Sequence, residues 1–436
     1  MDHEAVNPKF GVSPAHRVLV GIAALMAWIN IGWVIVGFAP LLPFISDELN
    51  IPVGTVMLCV FPLSSLAGGL GIILCGPLID RYGPRKVLFV STILCVIYNL
   101  LLPHFTHNMV EIAVLRIITG LITQGPVFAG NSAMAQRWFP HKEQSTWIGI
   151  WQAGFAIGMA VMYMVYFPLV KYYDGEWRDV AAFAAVPSAV AFVLLGITFF
   201  FGKEPAAVRH EEYAPLVKRD FAIARLLPVF WVCGILLGCA QGVMESINGL
   251  TASYLMSATQ GGLNWLPFKA GPAMGFIQYG MVAGAFLMST VLYFIFRSSL
   301  KWYGSFLFLL SGVFALAMIG SFAKASLWHM ELIFVIVGFF ANQMFPVVTT
   351  FITQNFPPYI LGRVFGVAGG ISILLGAFFS GLAGMLLNWT DSYKSIYILI
   401  FAIGLFACIL IAFTMNPIKV FAKKGTPEPQ PAGGVK

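Results

Sequence analysis

Charged residues are scarce in this chain of 436 residues: Asp, Glu, Lys and Arg together make up 10% of it, whereas hydrophobic residues make up 59%. A soluble core of this length has no room for so much apolar surface, so the composition predicts a protein embedded in the lipid bilayer. The first twenty residues also lack a short apolar stretch followed by a small-residue cleavage site. The first long apolar run, residues 18–45, is therefore expected to remain as a membrane span.

Cysteine and histidine are present, but their spacing does not indicate a reactive or metal site. The six cysteines lie inside apolar runs, so we expect small buried side chains, with no disulfide framework, metal site or other cofactor. Without paired acids or an intramembrane histidine, the sequence argues against a membrane enzyme. Without a ring of pore-lining charges or a large soluble domain, it also argues against a channel or a sensor.

Apolar runs bounded by charge, Pro or Gly predict about twelve transmembrane helices. Nineteen of the 25 basic residues fall in segments on the side of the two termini, and five fall on the other side. By the positive-inside rule, this bias predicts a multi-pass protein of the cell membrane with both termini in the cytoplasm. The same bias explains the net charge of +7, so no nucleic-acid partner is expected.

The longest polar segment, residues 203–225, predicts a cytoplasmic linker between two bundles of six helices, residues 1–202 and 226–418, with a cytoplasmic tail at 419–436. The two halves also share short matches in the same order. Phe139 and Pro140 correspond to Phe356 and Pro357, and Asn30 corresponds to Asn248. These matches predict an internal duplication.

An unusually charged stretch, "GPLIDRYGPRKVL", occupies residues 76–88 in the predicted loop between the second and third spans. It resembles the loop signature of the major facilitator superfamily, roughly G-x-L-x-D-R-x-G-R-[RK], although Pro84 occupies a position that is usually basic. The residues that fit the signature are Gly76, Leu78, Asp80, Arg81, Gly83, Arg85 and Lys86. With the twelve spans and two halves, the resemblance covers the whole chain.

The resemblance implies an all-α integral membrane fold, in which twelve transmembrane helices form two pseudo-symmetric bundles of six. It implies secondary transport by alternating access, with the loop motif as a latch that holds the inward side shut in the outward-open state. Physically, Gly76 permits close helix approach and Gly83 permits a tight turn. Asp80 can pair with bases or with helix-end amides only while neighbouring helices are close. In the simpler alternative, the bases at 81, 85 and 86 only enforce topology.

Two ionisable residues fall well inside predicted spans, Arg116 and Glu245, and a charge at that depth needs a cavity or a partner. Arg116 is a candidate for gripping a carboxylate of the substrate or for pairing with an acid that governs proton coupling; a purely structural interhelix pair is the alternative. Glu245 is a candidate for carrying a proton or a cation, or for balancing Arg116. Burial favours its neutral form and a nearby arginine favours its ionised form, and the sequence leaves that choice open.

Further polar and aromatic residues of the spans are candidates for lining the same midplane cavity. Gln124 follows Arg116 on one helical stripe, and Gln241 and Asn248 share a helix face with Glu245. The remaining candidates are Asn30, Trp33, Gln152, Gln278, Tyr279 and Asn342.

The favoured function is secondary active transport of a small polar solute. Arg116 predicts a carboxylate or other organic anion as substrate, and Glu245 predicts symport with a proton or sodium ion. We expect the protein to act as a monomer in the lipid bilayer. The alternative within transport is an exporter or antiporter of amphipathic compounds, although Phe155 replaces a proline that is usual in the superfamily's antiporter pattern.

Overall fold

The computed structural model describes residues 14–139, 141–201, 214–357 and 360–416, and all regular structure in those ranges is helical. The first half contains α1 (Pro14–Val36), α2 (Leu42–Leu49), α3 (Val53–Tyr82), α4 (Pro84–Leu101), α5 (Met109–Thr119), α6 (Gly125–Trp138), α7 (His141–Tyr172), α8 (Trp177–Ala182) and α9 (Ala185–Phe201). The second half contains α11 (Pro228–Met256), α12 (Pro267–Phe294), α13 (Leu300–Ala317), α14 (Ser321–Ala325), α15 (Leu327–Asn355), α16 (Leu361–Thr390) and α17 (Lys394–Thr414).

Between the halves, the described part of the predicted linker forms helix α10 (Ala214–Leu226). Residues 203–213 of that linker and the predicted tail at 419–436 lie outside the described residues.

Eleven helical stretches of the described residues are long and apolar enough to cross a bilayer. Helix α12 has 28 residues and packs lengthwise between α7 and α15, so it completes a set of twelve spans. The expected fold class is confirmed: the protein is an all-α membrane protein with two bundles of six spans.

The first span differs from its prediction as one continuous helix over residues 18–45. Helix α1 ends at Val36, a 3-10 turn covers Ala39–Leu41, and α2 begins at Leu42. The break follows from Pro40, which has no N–H to donate and whose ring clashes with the carbonyl four residues before it. The last carbonyl groups of α1 are therefore left without partners inside the helix.

The fourth span is also irregular, because a π-helical turn at Gly120–Gln124 joins α5 to α6. Pro126 leaves the carbonyl of Ile122 without its usual donor. The Ser91 hydroxyl of α4 donates to that oxygen at 2.5 Å. A π turn of this kind reorients the side chains around it and is frequent at functional sites.

The most extensive contacts between the two halves are along two helix pairs, α3 with α16 and α7 with α12. We call the side of the bundle on which α1 begins and α17 ends the terminal face, and the opposite side the far face. Near the far face the halves are in close contact. A Cβ atom on Gly54 would lie 2.3 Å from Asn388 Oδ1, and the Asn388 amide donates to Thr55 at 2.9 Å.

Towards the terminal face the same helices separate. Halfway along, a Cβ atom on Gly69 of α3 would lie 3.2 Å from Ile373 of α16. Gly76 lies seven residues further along the same face of α3, and Gly366 lies seven residues from Ile373 on the same face of α16. A Cβ atom at either glycine would meet no heavy atom within 4 Å. The described residues thus adopt a conformation that is closed at the far face and open at the terminal face.

Cysteine pairs test this conformation in a variant without the native cysteines. The pair at positions 55 and 388 should cross-link readily, because those side chains are in hydrogen-bond contact. The pair at positions 76 and 366 should cross-link only after the halves have rocked. Gel mobility after oxidation reports both links, and equal cross-linking of the two pairs in the resting protein would contradict the observed opening.

Candidate substrate and coupling site

The carboxyl group of Glu245 lies where the two halves meet. Its Oε1 atom accepts a hydrogen bond of 2.7 Å from Ser65 of α3, in the other half, and one of 2.8 Å from Gln241 on its own helix. Its Oε2 atom is buried and has no hydrogen-bond partner among the described residues. The side chain is 8% exposed. Oε1 therefore accepts one hydrogen bond from each half, whereas Oε2 accepts none from the described residues.

One turn further along α11, Asn248 forms a second polar contact across the halves. The Tyr163 hydroxyl of α7 donates to the backbone oxygen of Asn248 at 2.9 Å. The side-chain oxygen of Asn248 accepts from Gln278 of α12 at 2.7 Å. Helix α11 thus contributes two polar residues, one helical turn apart, to the interface between the halves.

Arg116 is fully buried, and all three of its guanidinium nitrogens donate to backbone carbonyl oxygens. Nε donates to Val60 of α3 at 2.9 Å, while Nη1 and Nη2 donate to Val34 and Ile35 at 3.1 and 2.8 Å. Val34 and Ile35 belong to the last turn of α1, where the helix break leaves carbonyls unpaired. The guanidinium group therefore caps the end of α1, where the helix dipole is negative.

Arg116 and Glu245 do not form an ion pair, because the guanidinium donors are all directed at the backbone. Both side chains nevertheless bond to α3, Arg116 at Val60 and Glu245 at Ser65, and these two positions are about 7.5 Å apart along the helix axis. The middle of the protein thus holds one fixed positive charge inside the first half and one carboxyl group at the boundary with the second.

Three further candidates lie inside the first half and do not contact Glu245. Asn30 accepts a hydrogen bond of 2.7 Å from Ser188 of α9. Trp33 packs edge to face on Tyr166, with ring centroids 5.7 Å apart. Gln124 contacts α3, where its amide donates to Ser64 at 3.4 Å.

The last three candidates are spread over the two halves. Gln152 of α7 is half-buried. The amide of Asn342 donates to the backbone oxygen of Met281 at 2.9 Å, which joins α15 to α12. Tyr279 of α12 is 40% exposed, and its hydroxyl reaches the sulfur of Met164 of α7 at 3.6 Å. The structure therefore gathers Glu245, Gln241, Asn248 and Gln278 in one region, whereas Asn30, Trp33 and Gln124 contact residues of the first half instead.

Sequence reasoning missed Ser65 and Tyr163, the two residues of the first half that contact this region. Each is an uncharged residue in a long apolar helix, where the usual interpretation is packing. The only available signal was the pair Ser64 and Ser65 one turn before Gly68.

The loop motif lies at the terminal face, where the halves are apart. Gly83 has a φ of 85°, which favours glycine, and it links α3 directly to α4. Arg85 is buried within the first half, where it donates to the Thr198 carbonyl at 2.7 Å and covers the Trp138 ring. Arg81 and Lys86 are exposed. Gly76 contacts no neighbouring helix in this conformation, and the side chain of Asp80 lies outside the described residues.

Comparison with known proteins defines the class to which this fold and interface belong. The family model of the Major Facilitator Superfamily matches residues 18–372. The chain belongs to that superfamily, so it is a membrane transporter.

Relatives within the superfamily include transporters of organic acids. The chain is 25% identical over 350 residues to the cis,cis-muconate transport protein of Acinetobacter baylyi, covering 78% of this chain and 81% of that protein. It is 26% identical over 192 residues to the hexuronate transporter of Bacillus subtilis, covering 43% of this chain and 42% of that protein. Among solved structures, a D-xylose-proton symporter superposes with a TM-score of 0.72 at 14% identity, covering 92% of this chain and 98% of the other.

The cap on α1 predicts the effect of replacing Arg116. Arg116→Lys should lower the melting temperature of the purified protein by several degrees, because one ammonium group cannot reach three separated carbonyls. Arg116→Ala should lower it further, since each buried carbonyl left without a donor costs about 1–3 kcal/mol.

The matched control is Arg81→Lys, an exposed arginine of the same half, which should leave the melting temperature unchanged. Equal stability of Arg116→Lys and the parent would show that the three carbonyl contacts do not support the broken first span.

Proposed function

We propose that the protein moves a small organic acid across the membrane by alternating access, in symport with a proton carried by Glu245. The observation that carries the proposal is the hydrogen bond from Ser65 to Glu245 Oε1, because among the described residues it joins the two halves through a carboxyl group at their boundary. A group in that position responds both to protonation and to the relative movement of the halves.

The geometry of the carboxyl group supports a proton as the coupling ion. Oε1 already accepts two hydrogen bonds, so the proton would reside on Oε2, which has no partner among the described residues. Once protonated, Oε2 becomes a hydrogen-bond donor, which can bond to a new acceptor when the halves rearrange. Gln241 is half-buried and lies one turn nearer the open terminal face, which gives a polar route to the carboxyl group.

Charge balance in the low-dielectric middle of the protein supports an anionic substrate. With Glu245 ionised, its charge and that of Arg116 cancel, and the empty transporter is neutral at this depth. Protonation of Glu245 leaves the positive charge of Arg116 uncompensated, and an entering carboxylate restores neutrality. A transporter that rearranges only when its centre is neutral would therefore move acid and proton together.

In this scheme Arg116 acts on the substrate through its charge, because its nitrogens are already engaged with the backbone. Direct hydrogen bonds to the substrate come from uncharged amides, with Gln241, Gln152 and Asn342 as candidates. The transport of organic acids by the muconate and hexuronate relatives supports a carboxylate as the recognised group.

The loop motif would act at the terminal face, which we take to be cytoplasmic from the distribution of basic residues. When the far face opens, α3 and α16 approach each other at Gly76 and Gly366, and the motif's charges come within reach of the second half. The motif then closes the cytoplasmic side, in keeping with its expected role as a latch.

Transport in proteoliposomes tests the coupling. A proton gradient directed with the substrate should accelerate uptake of a labelled hexuronate, which carries a single carboxylate, by the parent protein. Glu245→Gln should lose this acceleration, because the amide cannot bind or release a proton. It should still exchange labelled for unlabelled acid, because the amide imitates the protonated carboxyl group.

Glu331→Gln provides the control, since Glu331 is a partly exposed acid near the far face, and its response to the gradient should match that of the parent. Gradient-driven uptake that survives in Glu245→Gln would refute Glu245 as the coupling residue. Failure of hexuronates and other monocarboxylates to bind or exchange, together with transport of amphipathic compounds, would refute the substrate class.

A further inference from the structure

The outer surface of the first half carries a continuous apolar furrow that the transport cycle does not use. Its far section, of about 500 Å³, lies between α4 and α5, which scarcely touch each other. Its terminal section, of about 450 Å³, lies between α3, α4 and the π turn, and both sections include Leu94 and Ile122. The furrow therefore follows α4 along its length.

The π turn accounts for the far section of this furrow. The carbonyl of Ile122 is held to Ser91 of α4, which fixes the middle of the fourth span against α4. On the far side of that point α5 diverges, and the walls consist of exposed aliphatic side chains such as Ile97, Leu101 and Val114.

The length of the furrow matches a bilayer. Helix α4 has 18 residues, which corresponds to about 27 Å at 1.5 Å per residue, close to the roughly 30 Å of a hydrocarbon core. Each section is therefore about as deep as one lipid leaflet.

The two ends of the furrow differ in charge. Lys86 and Tyr82 line the terminal end, and Arg81 lies over the Tyr82 ring at 5.2 Å. No described carboxylate lies within ion-pair distance of Lys86 or Arg81. At the far end the charged lining residue is Glu111, whose oxygens accept from the His107 amide and the Asn108 side chain.

We propose that the terminal section of this furrow binds an anionic phospholipid, with an acyl chain along α4 and the phosphate at Lys86 and Arg81. The concave apolar wall recognises the chain, and two bases without described acidic partners recognise the headgroup. The acidic far end disfavours such a headgroup in the opposite leaflet. The proposed ligand is thus an anionic phospholipid of the leaflet on the terminal-face side.

This site places the lipid next to the loop motif. A phosphate bound at Arg81 and Lys86 occupies bases that the motif would otherwise present to the second half. Bound anionic lipid therefore favours the conformation that is open at the terminal face.

Native mass spectrometry of the full-length protein, supplied with phosphatidylglycerol or phosphatidylcholine, tests the site. The parent should retain phosphatidylglycerol more strongly than phosphatidylcholine. Lys86→Gln should weaken retention of phosphatidylglycerol by about fivefold, because one lysine at an anionic lipid surface contributes on the order of 1 kcal/mol. Leu94→Trp, which fills the furrow where its two sections meet, should weaken retention of both lipids.

Lys301→Gln is the matched control, because Lys301 occupies the corresponding loop of the second half and bonds Asn416. It should bind phosphatidylglycerol as the parent does. Equal retention of the two lipids by the parent, or a loss in Lys301→Gln as large as in Lys86→Gln, would overturn the proposal. Lys86→Gln leaves the apolar packing intact, so the test does not depend on the stability of Leu94→Trp.

Discussion

The hydrogen bond between Ser65 and Glu245 is the contact on which the proposed transport cycle depends. It crosses the boundary between the halves at mid-depth, where the far-face contacts end and the terminal-face opening begins. An acidic group in such surroundings is costly unless it is paired, protonated or reached by water. Its state is therefore tied to whether the halves are together, which is the property that a coupling group requires.

Arg116 supports this boundary from inside the first half. The break at Pro40 frees the last carbonyls of α1, and the guanidinium group satisfies two of them together with one carbonyl of α3. A positive charge is thereby fixed near the interface, and no described carboxylate forms an ion pair with it. The same arrangement stabilises the broken helix and gives the middle of the protein a charge that Glu245 and the substrate can balance.

The fold could be predicted from the sequence because it follows from features that the sequence shows directly: the lengths of the apolar runs, the polar linker and the motif at residues 76–88.

The site was harder to predict, because charge and depth identified Glu245 and Arg116 but not the residues that they contact. The sequence placed Asn30 and Asn248 in equivalent positions, yet Asn30 contacts Ser188 within its own half. The direction in which a side chain of a helix points depends on how the helix packs against all its neighbours, and a weak sequence repeat does not determine that packing. The sequence shows the prolines at the helix break and at the π turn, but it does not show which distortion each one produces, because a proline in a span can also cause only a kink.

Protonation of Glu245 itself is the most direct measurement of the central claim. Infrared difference spectra of the membrane-reconstituted protein on acidification should contain a protonated-carboxyl band that is absent in Glu245→Gln. Addition of a transported acid should shift this band, because the substrate enters beside the same carboxyl group. A spectrum in which no carboxyl band depends on Glu245, with or without the acid, would contradict the role of this residue as the proton carrier.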